Sequence, residues 1–403
     1  MEKERVVLAY SGGLDTSVCL KWLMVEKNLD VIAITGNVGQ DEKDLAEIKQ
    51  KALDLGCIAA DAVDMRDEYA ADFLTYAIKA NGLYENQYPL LSALSRPLLS
   101  KYMVEIAHQY GAKYIAHGCT GKGNDQVRFE TSIRALDPSI TILAPVREWD
   151  LHSRDDEMEW ARANGVPVPT TNKKPYSIDD NLWGRAIECG VLENPWNEPP
   201  DDIWTMTAEV NDAPDEPESV EIAFEAGVPV ALDGQEIGLV DLIIKLNQIA
   251  GKHGFGRLDM IENRLVGVKS RECYETPAAS TIIKAHKALE TICLDRETMH
   301  FKHVVEQQWA TCVYYGQWYS QLKNSLDAFC QETQKFVTGT VRLRFHKGNC
   351  TVTGLKSDYS LYDYGLASYS ADDTFDHAAA KGFIDLSSLP FVVWSGKQGP
   401  ASC

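Results

Sequence analysis

Two glycines, three hydroxyls and one carboxylate fall together in Ser11-Gly12-Gly13-Leu14-Asp15-Thr16-Ser17. Glycines let the chain turn tightly and bring bare N–H groups up to a ligand, and the hydroxyls add donors. That set suits an anion such as phosphate. Asp15 is out of place beside an anion unless it holds a cation such as Mg²⁺. Read without its flanks, the stretch is a strand-to-helix turn with Asp15 or Thr16 as N-cap. The β-rich run RVVLAY at 5–10 precedes it, however, and a helical pattern follows at 18–25. A helix starting here aims its positive end at the loop, so the context selects an anion site.

A second glycine-rich stretch, HGCTGKGNDQVRFE, runs from His117 to Glu130. A helix beginning near Asn124 puts Asn124 and Arg128 on one face. Amide and guanidinium together suit an amino-acid substrate; a capped helix with a solvent-facing Asn–Arg pair fits the same residues. Other phosphate signatures fail. No GxGxxG follows a strand, and GCTGKG at 118–123 has Ala116 at the place of a leading glycine and Gly123 where Ser or Thr is required. His300 and His303 form an HxxH, and His346 and His377 stand alone. No neighbouring Cys or carboxylate closes a zinc site around them, so no metal centre is expected.

The elements that must carry these loops alternate. Strands are expected at 5–10, 31–35, 58–63, 114–117 and 141–144, and helices at 18–25, 44–55, 67–81 and 98–110. The helices at 44–55 and 98–110 are closed by Gly56 and Gly111. Such alternation implies an α/β, doubly wound parallel sheet with ligands at its carboxyl edge. Five prolines among many acids mark 195–219 as a linker or wrapped connection. Beyond it the order is mixed α+β: a strand at 220–224, helices at 239–250 and 276–294, and a hairpin at 337–355. The last forty residues read as a helix at 372–381 and a loose polar tail.

The 403 residues suggest two or three domains. Ordinary globular composition (45% apolar, 24% charged) excludes collagenous and wholly disordered readings. The net charge of −20 argues against a general nucleic-acid coat, so any phosphate must be held locally. Ten dispersed cysteines without a CxxC suggest neither disulfide framework nor zinc ribbon. No stretch approaches a membrane span, and residues 6–10 are too short for a signal segment. A reduced cytoplasmic protein is expected.

SGGLDTS after a first strand resembles the PP-loop of the N-type ATP pyrophosphatases. Together with HGCTGKGNDQVRFE it resembles the argininosuccinate synthase family. Four further motifs continue the likeness down the whole chain: YPLLSALSRP from Tyr88, KKPYSIDDNLWGRAIECGVLENP around Ser177, NQIAGKHGFGR at 247–257 and IENRLVGVKSRECYETPA at 261–278. The resemblance implies that citrulline and aspartate condense to argininosuccinate, with ATP as substrate, its Mg²⁺ beside it, and a citrullyl-AMP intermediate. Under it, Ala9, Tyr10, Ser11, Gly12, Gly13, Leu14, Asp15, Thr16, Ser17, Gly36 and Gly118 hold ATP. Thr120, Asn124 and Asp125 hold aspartate; Tyr88, Asn124, Arg128, Ser177, Glu262 and Tyr274 hold citrulline. Asp15, Asn124 and Asp125 are the implied catalytic residues, and Arg96, Lys173 and Lys174 are weaker phosphate contacts.

Each role has a plainer rival. Ser177 with Asp180 could be a capping box, Tyr88 and Tyr274 half-buried packing aromatics, and Glu262 a partner of Arg264. Ala93 and Ala186 stand where the family commonly has hydroxyls, and each lost hydrogen bond is worth roughly 0.5–1.5 kcal/mol. The implied organisation is a PP-loop domain (1–170), a synthetase and multimerisation domain (171–365) and a C-terminal oligomerisation extension (366–403), assembled as a homotetramer. A PP-loop tRNA thiolase is the alternative, though it calls for a basic RNA face and paired cysteines. A silent nucleotide-binding protein would have let the second constellation decay, and here it is intact.

Overall fold

The run at 5–10 forms strand β1 (Arg5–Ala9), in which Val6, Val7 and Leu8 are fully buried. Val6 and Leu8 enter one apolar core and Val7 the other, which is why the run does not alternate. It is the middle of a parallel sheet with β2 (Asp30–Asn37), β3 (Ala59–Asp64), β4 (Tyr114–Ala116) and β5 (Thr141–Leu143), in the order β3-β2-β1-β4-β5. The order reverses between β1 and β4, so a crevice opens at their carboxyl ends. Both glycine-rich stretches begin there. Helix α1 (Leu14–Val25) covers one face together with α2 (Lys43–Asp54). Helix α3 (Leu91–Tyr110) covers the other, and α4 (Asp125–Leu136) follows β4. Helix α5 (Arg154–Ala163), held by a Ser153–Asp156 capping box, completes this part.

The computed structural model describes residues 3–40, 43–151, 153–168 and 176–399. They divide into two compact units, Met1–Tyr359 and Ser360–Cys403. Two antiparallel sheets belong to the first unit. One has the order β11-β12-β7-β6, from β6 (Ser177–Asn181), β7 (Gly184–Glu188), β11 (Arg257–Asn263) and β12 (Lys269–Glu275). The other has the order β10-β9-β8-β13-β14, from β8 (Glu218–Glu225), β9 (Val228–Leu232), β10 (Gln235–Glu236), β13 (Gly339–His346) and β14 (Asn349–Lys356). Helices α6 (Leu239–Lys252), α7 (Pro277–Cys293), α8 (Arg296–Tyr314) and α9 (Gln321–Thr333) pack beside them.

Several expectations are corrected. The helix at 98–110 starts at Leu91 and carries Pro97 inside it; burial of Leu91, Ala93 and Leu94 outweighs the missing backbone bond. The helix at 67–81 is interrupted by a π turn over Ala70–Leu74. Ser177 opens a strand, not a helix, so it caps nothing. Its hairpin is fixed at the turn, where Leu182 N–H donates to the Val38 carbonyl (2.7 Å) and the Trp183 indole to the Pro89 carbonyl (2.9 Å). Gly39 makes that approach: a Cβ there would lie 2.6 Å from the Leu182 nitrogen. The proline-rich segment is wrapped rather than loose. Buried Glu275 accepts the N–H groups of Thr205, Met206 and Thr207 at 3.0, 2.9 and 2.9 Å.

In the second unit, the tail is not polar. Helix α10 (His377–Gln398) is capped by Asp376 and exposes Phe383, Leu386, Leu389 and Phe391. Among the described residues, no helix is long and apolar enough to cross a membrane.

A buried ionic cluster joins α7, α8 and the turn at Asn81. Lys302 Nζ lies 2.9 Å from Glu290 and 2.6 Å from Glu306, and the Asn81 amide donates to both carboxylates at 2.6 Å. Lys302→Met leaves two buried carboxylates without their shared cation. Urea unfolding is expected to show a loss of about 3–5 kcal/mol; a loss below ~1 kcal/mol would contradict this role for the cluster.

Candidate active site

Helix α1 begins at Leu14 on Gly13, and no side chain caps it, so neither Asp15 nor Thr16 is the N-cap. The hydroxyls organise the loop. Ser17 Oγ donates to the Gly13 carbonyl (2.7 Å), Ser11 and Thr16 bond each other (3.1 Å), and Lys51 Nζ donates to the Gly12 carbonyl (2.6 Å). Gly12 has φ +75°, and a Cβ on it would meet Ile48 Cγ1 at 2.8 Å. Glycine is therefore required where the loop turns. The free helix N-terminus faces the crevice, as an anion site needs.

Two cavities meet at this loop. The smaller, about 250 Å³, lies over the ends of β1, β2 and β4 and is lined by Ala9, Tyr10, Gly36, Gly118, Met65, Leu99 and Phe129 among others. Its apolar walls and size suit a flat heterocycle. The larger, about 410 Å³, runs from Ser11, Gly13, Asp15 and Thr16 past Thr120, Asn124 and Asp125 to Tyr88, Arg128, Ser177, Glu262 and Tyr274. Ser11, Thr16, Arg96, Gly118 and Asp125 border both. Gly12, Leu14 and Ser17 line neither. Leu14 and Ser17 are buried, and the Ser17 hydroxyl is also bonded to Tyr10 (3.0 Å), so these three shape the loop from behind. Lys173 and Lys174 lie outside the described residues.

Charge is concentrated where the cavities join. Arg96 donates from Nε to Asp125 (2.9 Å) and from Nη2 to Asp179 (2.6 Å). Arg128 donates from Nη1 to Asp125 and to Ser92, both at 2.8 Å. Burial pushes the Asp125 carboxyl up, but the Arg96 and Arg128 guanidiniums outweigh it and hold the group at about 2. Asp179, bonded to Arg96, is pushed up, by burial first and also by the nearby charge of Asp125. At the far end, Glu262 accepts the hydroxyls of Tyr274 (2.8 Å) and Tyr314 (2.5 Å), and burial raises its pKa. Tyr88 and Tyr274 stack with ring centroids 4.3 Å apart.

These contacts decide between the readings. Asn124 and Arg128 are buried, not a solvent-facing pair. Tyr88 and Tyr274 are also buried, and each lines the larger cavity. Arg264 is bound to Glu188 and Glu272 rather than to Glu262. Ala93 is fully buried and lines neither cavity, whereas neighbouring Ser92 does line the larger. Ala186 is on the wall, paired across the sheet with Asp179 and Tyr274. Asp179, Ser92 and Tyr314 were not legible as site residues. Asp179 would have needed β6 to be recognised as a strand, and Tyr314 lies at the end of α8 with no motif to mark it. The histidines of the HxxH are exposed, and no group of three metal-ligating side chains occurs among the described residues.

A doubly wound parallel sheet whose uncapped PP-loop helix opens onto an amino-acid-sized polar cavity defines an ATP-dependent ligase of the PP-loop class. The argininosuccinate synthase N-terminal HUP domain matches residues 5–167, and the C-terminal domain of the same family matches 176–394. Argininosuccinate synthases of Halalkalibacterium halodurans and Bacillus mycoides are each 56% identical over 395 residues, covering 98% of this chain and 96% and 98% of theirs. The chain belongs to the argininosuccinate synthase family. The tRNA-thiolase alternative finds no support, because the likeness continues through the C-terminal domain.

Arg96 is the cation between two carboxylates, so Arg96→Met should raise the pKa of Asp125 from about 2. The ionised form is then lost at a higher pH. The acid limb of the pH–activity profile is expected to move up by about one unit or more; an unmoved limb would contradict the electrostatic role of Arg96.

Proposed function

We propose that this site joins citrulline to aspartate at the expense of ATP, giving argininosuccinate, AMP and pyrophosphate. One observation carries the reading: the phosphate loop and the tyrosine–carboxylate end open onto one continuous cavity. In the first step the ureido oxygen of citrulline attacks the α-phosphorus and pyrophosphate leaves, forming citrullyl-AMP. In the second, the amine of aspartate attacks the ureido carbon, and AMP leaves with the former ureido oxygen. A urea oxygen is a poor leaving group, and adenylation makes it a good one. Catalysis is then chiefly positioning and charge stabilisation.

Ala9, Tyr10, Ser11, Gly13, Asp15, Thr16, Gly36 and Gly118 hold the nucleotide, with its base in the smaller cavity and Gly12, Leu14 and Ser17 shaping the loop behind them. ATP enters with its Mg²⁺. Asp15, exposed on the cavity wall, is the carboxylate that fits the cation. Neighbouring Glu157 is pushed up to about 7, by burial first and by the charge of Asp15 second, against the opposing pull of Arg154, whose guanidinium lies 3.7 Å from Asp15. Thr120, Asn124 and Asp125 hold aspartate. Tyr88, Asn124, Arg128, Ser177, Glu262 and Tyr274 hold citrulline, Arg128 and Glu262 offering the two charges an α-amino acid needs. The three-part division at 170 and 365 and a cytoplasmic homotetramer belong to the same reading, and the exposed apolar residues of α10 support assembly.

The test is release of AMP and pyrophosphate from purified protein with MgATP. Steady release, with argininosuccinate formed, is expected only when both amino acids are present. Citrulline alone should give no more pyrophosphate than there are active sites. ATP binding without turnover on this pair would contradict the reading.

A further inference from the structure

The carboxamide of Asn124 is held at both ends by groups outside the cavity. The backbone N–H of Leu265 lies 3.0 Å from Asn124 Oδ1. A backbone N–H can only donate, so the carbonyl oxygen faces Leu265 and the nitrogen faces the other way. There it meets the Tyr314 hydroxyl at 2.8 Å and must donate to it. The single proton of Tyr314 is then directed to Glu262 Oε1, 2.5 Å away. The bonds run in one direction, from Asn124 through Tyr314 to the Glu262 carboxylate.

Tyr314 sits behind the cavity wall and is firmly fixed. Its ring stacks on Tyr84 with centroids 3.6 Å apart and planes 5° apart. The Arg128 guanidinium lies 5.0 Å from its centroid, and its carbonyl accepts Arg128 Nε at 3.2 Å. A carboxamide nitrogen carries two hydrogens. One goes to Tyr314, and the other is left for the cavity that Asn124 lines. We infer that Tyr314 and the Leu265 N–H are positioning groups that make Asn124 a hydrogen-bond donor toward the substrates. The atoms its free N–H recognises are therefore acceptor oxygens, a carboxylate or a ureido oxygen. This rests on the reading that Asn124 borders the amino-acid site.

Two variants test it. Tyr314→Phe keeps the ring stack and removes the hydroxyl. Leu265→Pro removes the N–H at a position that accepts proline: Gly267 N–H closes a turn onto the Arg264 carbonyl (2.9 Å), with Leu265 its second residue. Each variant should raise the KM for citrulline and aspartate and lower kcat/KM for both by roughly 10- to 100-fold, the loss of one hydrogen bond in a charged chain. The KM for ATP and the melting temperature should stay near those of the wild type. A merely structural role would lower kcat and leave all three KM values unchanged, and that result overturns the inference. So does wild-type behaviour of the folded variants. If Tyr314→Phe does not fold, Leu265→Pro decides alone. Absence of argininosuccinate from the wild type would overturn the functional reading and this inference together, whereas indifferent variants of a working enzyme overturn the inference alone.

Discussion

One guanidinium shared by two carboxylates holds the site in shape. Arg96 comes from α3, Asp125 from the start of α4 and Asp179 from β6, elements that are far apart in sequence and belong to two different sheets' surroundings. A planar fork can bind two carboxylates at once, which a lysine could do only as a point charge. The bonds fix where the wall carrying Ser177 and Ala186 stands relative to the phosphate loop. They also keep Asp125 ionised in a partly desolvated place, where an unpaired carboxylate would take up a proton. All three residues of this cluster line both cavities.

The same economy explains how a chain of net charge −20 can take ATP. No broad basic face is needed. The loop offers backbone N–H groups at an uncapped helix end; Arg96 stands where the two cavities join, and Arg128 and Arg264 line the larger one. Arg96 and Arg128 are both partnered by Asp125, so positive and negative groups are interleaved along the wall. Substrates that bring both signs of charge fit such a site better than a nucleic-acid backbone would.

The parallel sheet was legible because its strands are buried on both faces and its helices are punctuated by glycines such as Gly56 and Gly111. The phosphate loop was legible for a local reason: its glycines and hydroxyls act on the residues next to them. What escaped depends on partners distant in the chain. β6 is a strand because Ser177–Asn181 pairs with β7, and β7 with β12 almost ninety residues on; locally, the Ser–Asp spacing looks like a helix cap. The early start of α3 ahead of Pro97 depends on core burial of Leu91 and Leu94. Tyr314 reaches the site only because α8 ends against α4 and β11. Buried tyrosines are ordinary core residues unless, as with Tyr88 and Tyr274, a cavity opens beside them.

In the proposed first step the reacting atoms of citrulline and ATP meet in one cavity, the ureido oxygen attacking the α-phosphorus. Turnover with citrulline carrying ¹⁸O in its ureido group tests this most directly. Mass spectrometry of the products should find the label in AMP, with none in pyrophosphate or argininosuccinate. Unlabelled AMP, or label retained in the amino-acid product, would contradict the account.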